Sequence, residues 1–240
     1  MIYALPLLSV VIGYLIAIFI EPKNPRNLKL LLAFSGSFLL TITVTHLLPD
    51  VYQFEALQGA HDQIGDSHQH VHNKSNIGFF IMAGIVFQII LEYFSKGAEH
   101  GHVHSHGKMN KIPWLLFFSL CLHAFLEGMP ISQHSDLAFG IAIHHLPIAV
   151  ILTSFFINAE MNKKWIFFFM IAFAFMTPLG TLLSDNIGFL KNYYTEISAI
   201  VVGILFHISS TIIFESSEGH RFNLAKLISI IIGVVLAYFV

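Results

Sequence analysis

Charge is what this sequence has least of. Asp, Glu, Lys and Arg together make up 11% of 240 residues, and 14 acidic side chains nearly balance 12 basic ones for a net charge of -2. A soluble domain carries about a quarter of its residues charged, so this composition excludes one. No basic stretch interleaved with exposed aromatics lies outside the apolar runs, which argues against nucleic acid as a partner. Cysteine is nearly absent: Cys121 alone sits in an apolar segment, so no intrachain disulfide can form and the redox compartment cannot be read. The N-terminus lacks a basic n-region and an A-x-A-like cleavage site, and residues 2–20 therefore read as a retained membrane span.

In place of charge the chain has long apolar runs, with 55% hydrophobic residues and a mean hydropathy of +0.73. Runs at about 2–20, 29–49, 76–95, 113–132, 137–158, 164–184, 196–215 and 222–240 are each long enough to cross the hydrocarbon as a helix. The expected fold is thus an all-α polytopic membrane protein of eight transmembrane helices. It forms one transmembrane domain over 1–240, with polar His-rich loops at about 51–75 and 96–112. The 24 phenylalanines read as lipid-facing filler.

Orientation follows from Lys and Arg. With the N-terminus outside, inner loops and their edges hold Lys23, Arg26, Lys29, Lys96, Lys108, Lys111, Lys163, Lys164, Arg221 and Lys226, and only Lys74 and Lys191 fall outside. Both termini are then extracytoplasmic, the 51–75 loop is outside and the 96–112 loop is cytoplasmic.

Against this background a few ionisable residues inside the spans stand out. The fourth span carries His123 and Glu127, four residues apart and hence on one helix face, and the fifth carries His144 and His145. A carboxylate at mid-membrane costs roughly 3 kcal/mol or more unless it is paired, protonated or bound to a cation. Two imidazoles and a carboxylate suit zinc and tolerate iron, cobalt or manganese. His144 and His145 are adjacent and point about 100° apart, so they cannot serve one point equally; His144 is the expected ligand and His145 a spare. Pro130 and Pro147 remove helical donors beside this cluster, freeing the carbonyls of Leu126 and Ile143, and broken backbone next to ionisable side chains is what an ion site needs. The competing account is a hydrogen-bonded polar group that holds helices together.

Other candidate ligands lie towards the ends of the spans. His46 and Asp50 stand at the outer end of the second span, where a Pro-Asp helix exit explains them equally well, and His207 is an apolar-run histidine in the seventh. His100, His102, His104 and His106 alternate with small residues, a pattern that makes a multidentate chelator. A second cluster, His61, His68, His70 and His72, falls in the outer loop. The plain account of both loops is solubilisation.

These motifs resemble those of the ZIP (Zrt/Irt-like) metal transporters. That family's fourth and fifth spans carry H-N-x-P-E-G-like motifs, matched here by His123-Ala124-Phe125-Leu126-Glu127-Gly128 and His144-His145-Leu146-Pro147-Ile148-Ala149. His46-Leu47-Leu48-Pro49-Asp50 ending the second span, the His-rich loop after the third, and Thr177-Pro178-Leu179-Gly180 against the family's E-P-L-G extend the likeness over nearly the whole chain. The resemblance implies inverted repeats of spans one to three and six to eight around the central pair, with alternating access. It implies movement of a divalent metal, zinc first and Fe2+, Mn2+, Co2+ or Cd2+ after it, into the cytosol, with the ion as substrate and no cofactor. It implies a multi-pass protein of the cell membrane, in a bacterium the inner membrane, and admits a homodimer. The family's second metal position needs an Asn and two Glu residues where this chain has Ala124, Ile148 and Thr177, so only the first position is carried over. Two rival readings use the same ligands: an intramembrane zinc hydrolase, which lacks a spare carboxylate to serve as acid or base, and a metal sensor that does not transport.

Overall fold

A computed structural model describes residues 4–20, 25–61, 76–95, 113–215 and 224–240. Among the described residues every regular element is helical. In chain order these are α1 (Ala4–Phe19), α2 (Pro25–Ile42), a π-helical turn (Thr43–Leu47), α3 (Leu48–His61), α4 (Ile77–Ser95), α5 (Trp114–Gly128) and a 3-10 turn (Met129–Ser132). They are followed by α6 (Ser135–Asn158), α7 (Lys163–Asn186), the short α8 (Gly188–Asn192), α9 (Tyr194–Glu215) and α10 (Leu224–Tyr238). Six stretches are long and apolar enough to cross a membrane: Arg26–Phe54, Ile77–Phe94, Trp114–Ser132, Ser135–Asn158, Lys163–Asn186 and Tyr194–Phe214. Two further apolar helices, Ala4–Phe19 and Leu224–Tyr238, are shorter. Many aromatic side chains face outward, among them Phe79, Phe118, Phe167 and Phe175, as filler on an apolar exterior should.

The buried side chains divide into two main cores. Val10 of α1, Leu120 of α5, Leu152 and Phe156 of α6, and Phe169 and Phe173 of α7 belong to one. Leu39 and Ile42 of α2, Ile77 of α4, Val202 and Leu205 of α9 and Ala237 of α10 belong to the other. The second core also takes in Ile131, Leu137 and Ile141, so the two bundles meet where α5 gives way to α6. Helix neighbours follow the same division: α1 lies along α6 and α7, and α5 along α7, while α2 lies along α9 and α10, and α4 along α9.

Glycine sets how closely α5 and α7 approach. A Cβ at Gly180 would stand 2.0 Å from the carbonyl oxygen of Phe125, and one at Gly128 would stand 2.1 Å from that of Thr177. Neither contact leaves room for any side chain, and the obstacle in each case is backbone. The Thr181 hydroxyl donates to the Gly128 carbonyl at 2.7 Å and to the Thr177 carbonyl at 3.1 Å, fastening the same crossing. Small residues take this role in membranes because no hydrophobic force drives helix against helix there, and close packing must serve instead.

The prolines act differently from one another. Pro130 does not kink a continuing helix; α5 ends at Gly128, and the Leu126 carbonyl that Pro130 frees accepts instead from the Met129 N–H as the chain tightens into the 3-10 turn. Pro147 stays inside α6, which runs on to Asn158. There α1 comes close: the Ser9 hydroxyl donates to the Ala142 carbonyl, and Gly13 abuts the Leu146 carbonyl.

Replacing Gly180 with Leu should therefore prevent folding or lower the thermal midpoint in detergent by an amount matching ~3 kcal/mol or more, the upper range for overpacking. Gly78→Ala, where a Cβ meets nothing within 4 Å, is the control and should be neutral. A Gly180→Leu protein that melts with the wild type would contradict this account of the crossing.

Candidate metal centre

Glu127 is fully buried, and its two oxygens are approached by different histidines. His123, one turn back on α5, brings Nε2 to 3.2 Å from Oε1. His145, on α6, brings Nε2 to 3.0 Å from Oε2 and is hydrogen-bonded to it. His144 completes the cluster: one ligand atom each from His123, Glu127 and His144 lie within 4.8 Å of one another, and all three residues are buried. The short His123–Glu127 approach lacks hydrogen-bonding geometry, since Oε1 has no hydrogen-bond partner among the described residues. His123 Nε2 and Glu127 Oε1 stand close enough together to serve one ion.

The sequence reading set His144 against His145, because adjacent helical residues diverge. The fold brings both to Glu127. Their ring centroids are 6.0 Å apart at 42°, with His145 on the other carboxylate oxygen from His123 and its ring 5.3 Å from that of Phe173. His144 is grouped with His123 and Glu127, whereas His145 is hydrogen-bonded to the carboxylate, a contact that an outer partner of a ligating carboxylate can make. All four residues lie on α5 and α6, within the first bundle.

The peripheral candidates go elsewhere. His46 sits in the π-helical turn with Nδ1 2.6 Å from Asp136 Oδ2, and Asp50 Oδ2 lies 3.4 Å from Nδ1 of His134. His207 pairs across the α4–α9 contact with Glu92, Nε2 to Oε2 at 2.7 Å. None of these joins the central group. His100, His102, His104 and His106, and likewise His68, His70 and His72, lie outside the described residues, and His61 closes α3. Sequence reasoning passed over His134, Asp136 and Glu92. For the first two a signal existed, a His and an Asp in the brief polar gap between two apolar spans; for Glu92 it was one acid at the end of a hydrophobic run.

His134 stands between the spans, mostly buried, and stacks on Tyr194 with centroids 6.5 Å apart. Burial pushes its imidazole below the ordinary value, against the upward pull of the Asp50 and Asp136 carboxylates.

Comparison with known proteins settles the lineage. The sequence model of the family described as "ZIP Zinc transporter" matches residues 95–240, more than half of the chain. The protein belongs to the ZIP zinc transporter family. It is 24% identical over 221 residues to "Zinc transporter ZIP9-B" of Xenopus laevis, covering 76% of this chain and 71% of that protein. It is 32% identical over 92 residues to "Zinc transporter SLC39A7" of Mus musculus, and 28% identical over 88 residues to "Zinc transporter ZIP1" of Danio rerio. These two matches span only 19% and 29% of the relatives' own lengths. The ZIP proteins are multi-pass transporters rather than enzymes, which answers the hydrolase reading at the level of the family.

The donor set bears on ion number. Two dications about 4 Å apart repel by on the order of 15 kcal/mol even at an effective dielectric of about 20, so a second ion needs anionic ligands of its own. Buried Ala124, Ile148 and Thr177 supply none. Anomalous scattering from metal-soaked crystals should therefore give one peak beside His123 and Glu127, and two full-occupancy peaks between α5 and α6 would overturn this account.

Proposed function

We propose that this ZIP family member carries a divalent transition metal, zinc foremost, across the cell membrane into the cytosol, binding it one ion at a time through His123, Glu127 and His144. The observation that carries the reading is the buried cluster itself, in which a fully buried carboxylate and two imidazoles offer ligand atoms within 4.8 Å of one another on a pair of apolar helices. Zinc accepts such a mixed N/O set and leaves a fourth position for water, while Fe2+, Mn2+, Co2+ and Cd2+ tolerate it. His145 serves as the carboxylate's hydrogen-bond partner, and the ion is cargo, with no cofactor.

In this reading the chain works as a single transmembrane unit of eight spans, the two shorter apolar helices counting with the six long ones. Inverted repeats are supported by the pattern of neighbours. Exchanging α1 with α7, α2 with α9, α4 with α10 and α5 with α6 turns the α1–α6 contact into α7–α5 and the α2–α10 contact into α9–α4. Because every central ligand lies in the first bundle, movement of that bundle against the second would carry the ion and expose it to each side in turn. Transport proceeds inward with both termini outside, the orientation that the Lys/Arg bias favours.

Uptake by proteoliposomes given a panel of divalent ions tests the function. Wild-type protein should accumulate zinc, and Glu127→Ala and His123→Ala should each reduce uptake by about a hundredfold or more while the protein remains inserted, since few ligands can be spared. Glu127→Gln should fail as well, because an amide is a poor zinc ligand. Wild-type rates in these variants would sink the site assignment, and metal binding without uptake in the wild type would favour the sensor reading.

Orientation has its own test. In a Cys121→Ser background, Ser105→Cys should resist an impermeant thiol reagent applied to intact cells and react after permeabilisation. Labelling of intact cells would reverse the topology.

A further inference from the structure

The chain has only two tryptophans, Trp114 and Trp165, and the fold brings both to one corner of the first bundle. Trp114 opens α5, and Trp165 stands in the first turn of α7, directly after Lys163 and Lys164. These two helix starts are neighbours, because Phe117 of α5 stacks on Phe168 of α7 with centroids 6.3 Å apart and meets Phe169 edge-on at 5.1 Å. Trp114 stacks on Phe118 at 5.8 Å and meets Phe117 edge-on at the same distance, while Trp165 meets Phe168 edge-on at 6.2 Å. One unbroken row of rings thus crosses the α5–α7 contact, from Phe118 through Trp114, Phe117 and Phe168 to Trp165. We propose that this corner binds an anionic phospholipid of the cytoplasmic leaflet, with its phosphate at Lys163 and Lys164 and its acyl chains along the ring row. The inference takes its leaflet from the Lys/Arg orientation and needs nothing from the transport reading.

Exposure separates this row from core packing. Trp114, Phe118, Trp165 and Phe168 are 53%, 62%, 46% and 49% exposed, although each touches the next ring, and only Phe117 turns inward. Rings that support one another and still leave about half of their surface open make a preformed apolar shelf. Each tryptophan also carries an indole N–H that donates to no group among the described residues. An apolar body with one polar tip is what places tryptophan at the headgroup boundary, where lipid carbonyls and phosphates accept from it.

The positive charge at the corner is uncommitted. Lys163 and Lys164 are exposed, and neither joins an ion pair among the described residues. Glu160, the one acid in the connection from α6, takes part in another interaction. The remaining described basic groups assigned to this membrane surface differ: Arg26, Lys29 and Lys226 all have partners, and the Lys226 ammonium donates to the Ile213 carbonyl. The Asn162 side chain accepts from the Lys164 N–H at 2.9 Å, which starts α7 at Lys163 and stands the two lysines at the helix end. From Lys164 to Phe168 is about one turn, roughly 6 Å along the axis, over which ammonium gives way to indole and then to phenyl. A phospholipid passes from phosphate to acyl chain in the same order, and the cytoplasmic leaflet is where anionic headgroups and basic side chains meet. A soluble acidic protein would engage only the charged edge and leave the rings uncovered.

Because both tryptophans belong to the site, quenching of their fluorescence by brominated lipid reads it directly. The full chain is reconstituted in phosphatidylcholine vesicles in which a fixed fraction of the lipid is brominated phosphatidylglycerol or, separately, brominated phosphatidylcholine. Quenching should show the anionic lipid favoured about fivefold or more at the rings. That preference should fall towards one in Lys163→Gln/Lys164→Gln, with the thermal midpoint of the protein unchanged. Lys191→Gln, on α8 beyond the far end of α7, should keep it in full. Trp165→Phe leaves Trp114 as the sole reporter, and its quenching should still favour the anionic lipid, since the row joins the two. Equal quenching by both lipids in the wild type would reduce the corner to a general aromatic belt and overturn the site, as would a preference that survives loss of both lysines. Quenching that falls as protein is concentrated in the vesicles, whichever the headgroup, would mark the row as a contact between copies of the chain and overturn it too. Zinc uptake has no part in this readout, so failed transport with an intact lipid preference removes the transport reading and leaves the lipid site standing.

Discussion

A carboxylate with no exposed surface is the constraint on which the rest depends. Glu127 is ringed by imidazoles, His123 at one oxygen and His145 at the other, with His144 close by. Removing one charge from water without a counter-charge is heavily unfavourable, and neutral imidazoles alone leave that charge uncompensated. In the proposed reading a dication compensates it, and the shortage of other anionic groups lets it be released. Ala124, Ile148 and Thr177, buried beside a site that lacks acids, are consistent with a cargo held by few ligands.

Holding those ligands together requires α5, α6 and α7 to be fixed relative to one another, and the sequence does this with backbone contact rather than charge. Gly128 and Gly180 let α5 and α7 touch at their carbonyls, and Thr181 ties the same place with a hydroxyl. Pro130 then closes α5 one residue after the last part of the cluster, so that the chain turns directly into α6, which carries the remaining histidines. Packing in the first core is therefore a prerequisite for the site. The His46–Asp136 and His134–Asp50 pairs run between the two bundles, whereas His207 and Glu92 join helices of the second bundle to each other.

Much of this was legible in the residues. Hydropathy located the helices because a bilayer forces backbone hydrogen bonds inward, and the i, i+4 spacing put His123 and Glu127 on one face. Adjacent His144 and His145 were harder: helical geometry says that they diverge, and only the packing of α6 against α5 reveals that Glu127, with two oxygens, is large enough a target for both. Pro130 was read as freeing the Leu126 carbonyl beside the cluster, but the 3-10 bond from the Met129 N–H takes up that carbonyl where α5 ends. His46 and Asp50 were visible as a pair at the outer end of the second span, while their partners His134 and Asp136 are remote in sequence and become neighbours through the meeting of two bundles. No local pattern encodes that, because the register between helices is set by side chains far from the pairs. The π-helical turn was likewise invisible, since nothing in Thr43-Val44-Thr45-His46-Leu47 departs from an ordinary apolar helix.

The central claim is that a single metal ion is held by two imidazoles and the Glu127 carboxylate. X-ray absorption at the zinc edge, on purified full-length protein loaded with less than one equivalent, tests it most directly. The account predicts a shell of nitrogen and oxygen with two imidazole scattering patterns, no sulfur and no metal–metal vector, and a spectrum that changes when Glu127 is replaced by alanine. A spectrum identical in wild type and Glu127→Ala, or one with a second metal at close range, would contradict it.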